Sequence, residues 1–142
     1  MKSLLLIFFI LVAIIAVAFW KGSAVRTRAS YSMLPFGVVD SPRPREALRG
    51  HATLRGWALS ESEIESVAVY LDRTLAGFAT LGVSRPDVRK AFPAFPRAAE
   101  AGWQLDFDVT GMKSGPHELE IQARSRQGAT RDLGDVAVTV VY

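Results

Sequence analysis

Residues 4–20 read LLLIFFILVAIIAVAFW, seventeen uncharged apolar residues followed at once by Lys21. A helix of that length rises about 25 Å at about 1.5 Å per residue. This approaches the roughly 30 Å of a bilayer's hydrocarbon core. Trp20 and Lys21 extend the reach, because an indole prefers the headgroup level and a lysine snorkels toward water. A surface helix of a globular protein keeps a polar face, and this run has none. It therefore predicts a membrane or secretory segment, and membrane lipid as its first partner.

Two fates are open for such a segment. An uncleaved signal anchor suits the length of the run, which exceeds the roughly 7–15 residues of a secretory h-region. A cleaved signal peptide, and hence a secreted product, is the alternative. Its small-x-small exits would be Ala16-Val17-Ala18 or Gly22-Ser23-Ala24. The first lies inside the apolar run and the second follows a charge, so the anchor is the reading adopted. Lys2 precedes the run, whereas Lys21, Arg26 and Arg28 follow it. Basic flanks favour the cytoplasm. A targeting signal so near residue 1 instead predicts a domain facing the periplasm or exterior of a cytoplasmic membrane. The organisation expected is a signal anchor at 1–24, a juxtamembrane spacer at 25–34 and one folded domain at 35–142.

The formal net charge of +3 does not indicate a nucleic-acid partner. Four of the seventeen basic residues flank the apolar run, and the remaining thirteen face fourteen acidic residues in the domain. A near-neutral domain has no electrostatic footprint for a phosphate backbone. With no cysteine, the chain offers no disulfide staple, no thiolate metal site and no lipidated thiol. No metal or cofactor is expected.

The domain predicts an all-β fold. Trp103, Leu105, Phe107 and Val109 alternate without exception with Gln104, Asp106 and Asp108, so one face is buried and one wet. Leu119, Ile121 and Ala123 alternate with Glu118, Glu120, Gln122 and Arg124. Val67, Val69 and Leu71 alternate with Ala68, Tyr70 and Asp72. Further strands are expected at 36–39, 50–59, 75–81 and 135–142. Asp72-Arg73-Thr74 reads as a tight hairpin turn, and Gln127-Gly128 as another. Pro42 and Pro44 suit the exit of an edge strand, since proline cannot donate to a ladder. About seven short strands at regular spacing predict a two-sheet sandwich. Residues 84–96, SRPDVRKAFPAFP, interrupt the pattern. Ser84 and Asp87 have capping-box spacing and Pro86 suits a first turn, so a short helix is expected over 86–92, stopped by Pro93.

Gly37-Val38-Val39-Asp40-Ser41-Pro42, Gly56-Trp57-Ala58-Leu59 and Ile64 through Asp72 together form a pattern that resembles bacterial immunoglobulin-like domains of the Big type. Arg85-Pro86-Asp87-Val88, Ala101-Gly102-Trp103 and Gly115-Pro116-His117-Glu118-Leu119 continue the pattern to the end of the chain. The resemblance implies an immunoglobulin-like β-sandwich of a cell-surface or secreted protein. Such modules stand alone or are attached to enzymes, so the resemblance speaks to fold more than function. Related modules often carry an acidic residue near Ser125 and an Asp-Gly turn where this chain has Asp72-Arg73. Serine at 125 weakens any calcium reading, because calcium requires several converging oxygens.

The candidate chemistry is sparse. His51 and His117 have no metal-ligand spacing, and His117 shares the inward parity of Leu119, which reads as a packed strand-start histidine. No G-x-S-x-G elbow is present. Asp106 and Asp108 are two residues apart on one wet face, whereas glycosidase carboxylates oppose each other across a cleft. Trp57, Trp103 and Tyr70 raise the question of sugar stacking. The parity of Trp103 and the family position of Trp57 assign both to the core, which leaves Tyr70 outward. The Arg85-Pro86-Asp87 loop is the best candidate site, since insertion loops often carry binding functions. Its plainer reading is an arginine paired with a carboxylate. The expected function is therefore non-enzymatic: a tethered module for protein–protein interaction or scaffolding with another envelope protein. Ligand or partner candidates are Arg85, Asp87 and Tyr70. A carbohydrate-binding module for envelope glycan is the alternative, and a hydrolase ranks behind both for want of a convergent site.

Overall fold

The computed structural model describes residues 34–142; the apolar run at 4–20 and all but the last residue of the expected spacer lie outside them. Among the described residues no helix is long and apolar enough to cross a membrane. The chain runs β1 (Phe36–Ser41), β2 (Ala47–Leu48), β3 (His51–Leu59), β4 (Ile64–Leu71), β5 (Thr74–Phe78) and β6 (Thr80–Val83). A short helix α1 (Pro86–Ala91) and a 3-10 turn (Ala98–Glu100) follow, then β7 (Gly102–Asp108), β8 (Gly115–Ser125) and β9 (Thr130–Val140). The strands form a four-stranded sheet in the order β1-β3-β7-β6 and a five-stranded sheet in the order β2-β9-β8-β4-β5. Setting aside the two-residue β2 and the edge strand β5, this is the ABED and GFC arrangement of an immunoglobulin-like sandwich.

The alternation in the sequence fixes which faces meet. Val67, Val69, Leu119, Ile121 and Ala123 from one sheet are each fully shielded from solvent, as are Leu54 and Trp103 from the other. They form one continuous core with Val136, Val138 and Val140. Trp103 is the largest of these side chains, and its register partner across the sheet is Gly56. A Cβ at Gly56 would stand 2.1 Å from the Val38 carbonyl oxygen on β1 and 2.6 Å from the Trp103 ring. The glycine therefore makes room for the indole.

Four expectations need correction. The strand expected over 75–81 is two strands: β5 pairs with β4, and after Ala79 the chain crosses to the other sheet, where β6 pairs with β7. No drop in hydrophobicity marks the switch, because Thr74 through Val83 carries no charge at all. The last strand begins at Thr130 rather than at 135, since Arg131 and Asp132 hold the ladder despite their polarity. The helix ends at Ala91, and its N-cap is Arg85 rather than Ser84, with no side-chain capping bond. The fourth concerns Trp57, which lies outside the inter-sheet core.

That last correction exposes a second apolar cluster. Trp57 and Leu59 have the opposite parity to Leu54, Gly56 and Ala58, so they point to the outer face of the four-stranded sheet. The segment between β6 and β7 folds over them. Leu59, Val88, Ala98 and Ala101 are buried together, with Phe36, Trp57, Phe92 and Phe95 packed around them. Phe36 sits among three rings, with centroids 5.9 Å from Trp57, 5.4 Å from Phe92 and 5.2 Å from Phe95, all edge-on. Such pairs each add about 0.5–1.5 kcal/mol beyond the area they bury. A six-residue helix is too short to persist alone, so these rings hold it in place.

Gly56→Ala tests the inter-sheet core. The added methyl has no space between the indole and the Val38 carbonyl of β1, and overpacking of this kind costs at least about 1–3 kcal/mol. Urea unfolding should show a lower midpoint with an unchanged slope. A midpoint equal to that of the parent chain would refute the packing described.

Candidate functional site

Arg85 and Asp87 lie where β6 gives way to α1. Arg85 Nε donates to Asp87 Oδ1 at 2.9 Å and Nη2 donates to Asp87 Oδ2 at 2.7 Å, a two-pronged contact. Its Nη1 donates to Asp40 Oδ2 at 2.6 Å. Asp40 is on β1 and β6 is at the opposite edge of the same sheet, so the arginine spans the sheet's outer face. Gly102 lies under its stem, where a Cβ would be 3.1 Å from the Arg85 Cγ. The Arg85 backbone N–H donates to the Ala99 carbonyl at 2.7 Å, tying the two short helical pieces together.

This geometry accounts for the charges. The hydrogen bonds from Arg85 pull the Asp87 carboxyl down to about 2. The carboxylates, Asp87 first, hold the guanidinium charge firmly. The Arg85 side chain is only 19% exposed. All three of its nitrogens already donate, so the group is a clamp for the insertion rather than a free hand for a ligand. Asp40 was not among the residues singled out in the sequence. It lies 45 residues away, and only the order of β1 and β6 in the sheet brings it close. Replacing Arg85 with alanine should loosen the insertion specifically. Hydrogen exchange at the Arg89 and Phe92 amides should speed up at least tenfold, while exchange in β8 stays unchanged. Uniform acceleration in both places would contradict a local clamp.

Tyr70 is not part of this cluster. It lies on β4 in the other sheet, where its register partners are Leu75 on β5 and Glu120 on β8. It has the opposite parity to the buried Val67 and Val69, and is half-buried. The structure thus brings Arg85 and Asp87 together and places Tyr70 on a different surface.

His117 is packed at the start of β8, its side chain 12% exposed, and it is engaged at both ring nitrogens. Its Nδ1 is 2.7 Å from Asp72 Oδ2, and its Nε2 is 2.7 Å from the Lys113 carbonyl. Both neighbours are acceptors, and a neutral imidazole has only one N–H. Only the imidazolium donates to both. The Lys113 carbonyl, then Asp72, accordingly raise the His117 pKa above its ordinary 6.5. Asp72 also accepts from the Glu118 amide through Oδ1 at 3.0 Å. That bond and His117 lower its pKa below the ordinary 3.8. Asp72 and Arg73 both have positive φ, 46° and 67°, and form the two-residue turn between β4 and β5. The clasp therefore fastens this hairpin to the start of β8. The sequence held no signal for it, because Asp72 and His117 are 45 residues apart.

The sign of the pH dependence follows. A raised histidine pKa contributes stability that is complete below the unfolded value and is lost as pH climbs through the folded value. A lowered aspartate pKa contributes stability above its unfolded value, lost as pH falls through the folded one. The clasp is strongest between the two ordinary values, 3.8 for Asp72 and 6.5 for His117. The thermal midpoint should fall as pH climbs above the ordinary histidine value of 6.5 and the imidazolium loses its proton. His117→Gln should flatten that slope. An unaltered slope in the variant would assign the dependence to other groups.

The remaining candidates are structural. Asp106 accepts from the Thr53 hydroxyl at 2.8 Å, and Asp108 accepts from the Thr110 amide at 2.8 Å. The Thr110 hydroxyl first, and then its amide, lower the Asp108 pKa. His51 lies opposite Asp108 at the start of β3 and is exposed. Among the described residues no group of three or more histidine, aspartate or glutamate side chains converges as a metal site.

No family model and no curated protein matches this chain. Solved structures do. The fibronectin(III)-like modules of CbhA from Clostridium thermocellum align over 75% of this chain and 45% of theirs, at 14% identity and a TM-score of 0.49. The endo-beta-1,4-mannanase from Thermotoga petrophila aligns over 75% of this chain and 20% of its own, at 14% identity and a TM-score of 0.53. CopC from Methylosinus trichosporium OB3b aligns over 73% and 92%, at 13% identity and a TM-score of 0.40. The chain thus spans less than half of the first two. At such identities the likeness extends to fold alone, and it agrees with the strand order: residues 34–142 form an immunoglobulin-like β-sandwich.

Proposed function

We propose that this chain is a membrane-tethered, extracytoplasmic immunoglobulin-like module that binds another protein of the bacterial envelope and catalyses no reaction. The observation that carries the reading is where the aromatic and titratable side chains are used. Trp103 is enclosed between the sheets, and Trp57 packs its ring against Phe36 and Phe92 in the outer cluster. Neither indole offers a platform for a sugar ring, which weighs against the glycan alternative. Both nitrogens of His117 face acceptors within the fold, which supports a structural imidazole rather than a general base. Exposed large apolar side chains include Val38 on β1 and Leu81 on β6, and two that share one strand, Leu75 at 47% and Phe78 at 61% accessible on β5. Exposed patches of this sort mark interaction sites in soluble domains. The apolar run at residues 4–20 supports the tether, and domains can translocate despite basic flanks.

One set of cells tests this. A C-terminal alkaline phosphatase fusion to the full chain should be active in intact cells, and crosslinking on those membranes should trap a protein partner. The soluble domain should leave a glycan array blank. An inactive fusion would put the domain in the cytoplasm and end the envelope reading. Glycan binding without a protein crosslink would favour the carbohydrate module.

A further inference from the structure

The outer face of the five-stranded sheet is divided into an apolar half and an acidic half. Register places Leu75, Tyr70, Glu120 and Asp135 in one row across β5, β4, β8 and β9. The next row is Phe78, Ala68, Gln122 and Asp132. At a strand spacing of about 4.8 Å, each row is roughly 15 Å long. The β5 end carries the exposed Leu75 and Phe78, with Tyr70 beside them. The β8–β9 end carries Glu120, Asp132 and Asp135, and Glu118 lies one row further along. None of these four carboxylates has a salt-bridge partner among the described residues; Arg124, the basic residue on this stretch of β8, is held by Glu65 at 2.8 Å.

Glu120 and Asp135 are direct cross-strand partners. Like charges in that position destabilise a sheet. The fold retains this repulsion on a surface where neutral residues would serve it better. A cation arriving from outside would remove the cost, and the neighbouring apolar half would bury the side chains next to that cation.

We propose that this face binds a basic, apolar segment of a partner protein: one or two arginines or lysines over Glu120 and Asp135, with adjoining apolar side chains against Tyr70, Leu75 and Phe78. This rests on the protein-binding reading above and names the face and the partner's chemistry. Charge complementarity selects the occupant. A second copy would set these carboxylates against carboxylates or against the apolar half of its own face, and in neither arrangement brings a cation. A neutral glycan would leave them unpaired. An arginine can also stack on the Tyr70 ring.

The probe is a capped hexapeptide alternating arginine and leucine, titrated into the isotopically labelled full chain in non-ionic micelles, with empty micelles as the blank. Amide shifts should cluster on β4, β5, β8 and β9. Glu120→Gln with Asp135→Asn should weaken binding at least fivefold while raising the thermal midpoint by a few degrees, because the repulsion is gone. Leu75→Ser with Phe78→Ser alters only exposed positions, keeps the fold and should weaken binding by a similar factor. Peptides alternating arginine with serine, or glutamate with leucine, should bind at least tenfold more weakly. Equal affinity in either double variant, or shifts centred on the other sheet, would overturn the proposal. So would dilution-dependent shifts at these residues without peptide, which would give the face to a second copy. If the peptide fails but membrane crosslinks form through Thr53 or Arg55 on the opposite sheet, this face is excluded and the tethered binding module stands.

Discussion

The fold depends on one cross-strand pairing, Trp103 on β7 against Gly56 on β3. With no cysteine to staple the sheets, the inter-sheet volume has to be filled by a side chain. The indole does this, and the bare glycine backbone lets it approach. Its Nε1 is buried without an acceptor among the described residues. A buried unsatisfied donor costs about 1–3 kcal/mol. Truncating an enclosed tryptophan costs about 3–5 kcal/mol. The volume of the ring therefore outweighs its orphaned polar atom, which is why the position tolerates the imperfection.

Placement of that indole also sets what lies outside the sandwich. Because Trp103 and Gly56 face inward, Trp57 must face outward, and so must Leu59 two residues on. An outward tryptophan on a bare sheet would be an exposed apolar liability. The insertion between β6 and β7 covers it with Phe92 and Phe95, and Arg85 locks the cover to Asp40. Core, insertion and clamp are one argument that starts from strand parity.

That chain of reasoning explains what the sequence made legible. The alternation around Trp103 and around Leu119 was readable because one face of each strand is buried and the other wet, a local property. The Asp72-Arg73 turn was readable too, although it is built without the usual glycine. The sheet switch at Ala79 was not, since a strand that changes partners keeps its local pattern. Arg85 and Asp87 could be paired by their spacing, but Asp40 could not be added, nor Asp72 to His117. Each of those contacts joins positions 45 residues apart and exists only once the strand order is known. Trp57 departs from the core position that the family resemblance implies, because Gly56 and Ala58 on either side of it face the core and one step along a strand reverses the face.

The short pairing of β2 with β9 gives the fold a mechanical property. These strands run parallel, with Ala47 opposite Thr139 and Leu48 opposite Val140. The Thr139 amide donates to the Glu46 carbonyl and the Val141 amide to the Leu48 carbonyl, at 2.9 Å and 3.0 Å. Tension applied at residue 34 and at the far end bears first on β1 and its antiparallel pairing with β3; once β1 has released, it pulls β2 and β9 in opposite directions along their own axes. Their hydrogen bonds are then strained together, in shear, instead of being peeled apart one at a time. Rupture under such load is governed by the unfolding rate rather than by equilibrium stability. The β2–β9 pair thereby stands as a second contact in series behind β1, and it is loaded in the direction in which its hydrogen bonds share the strain.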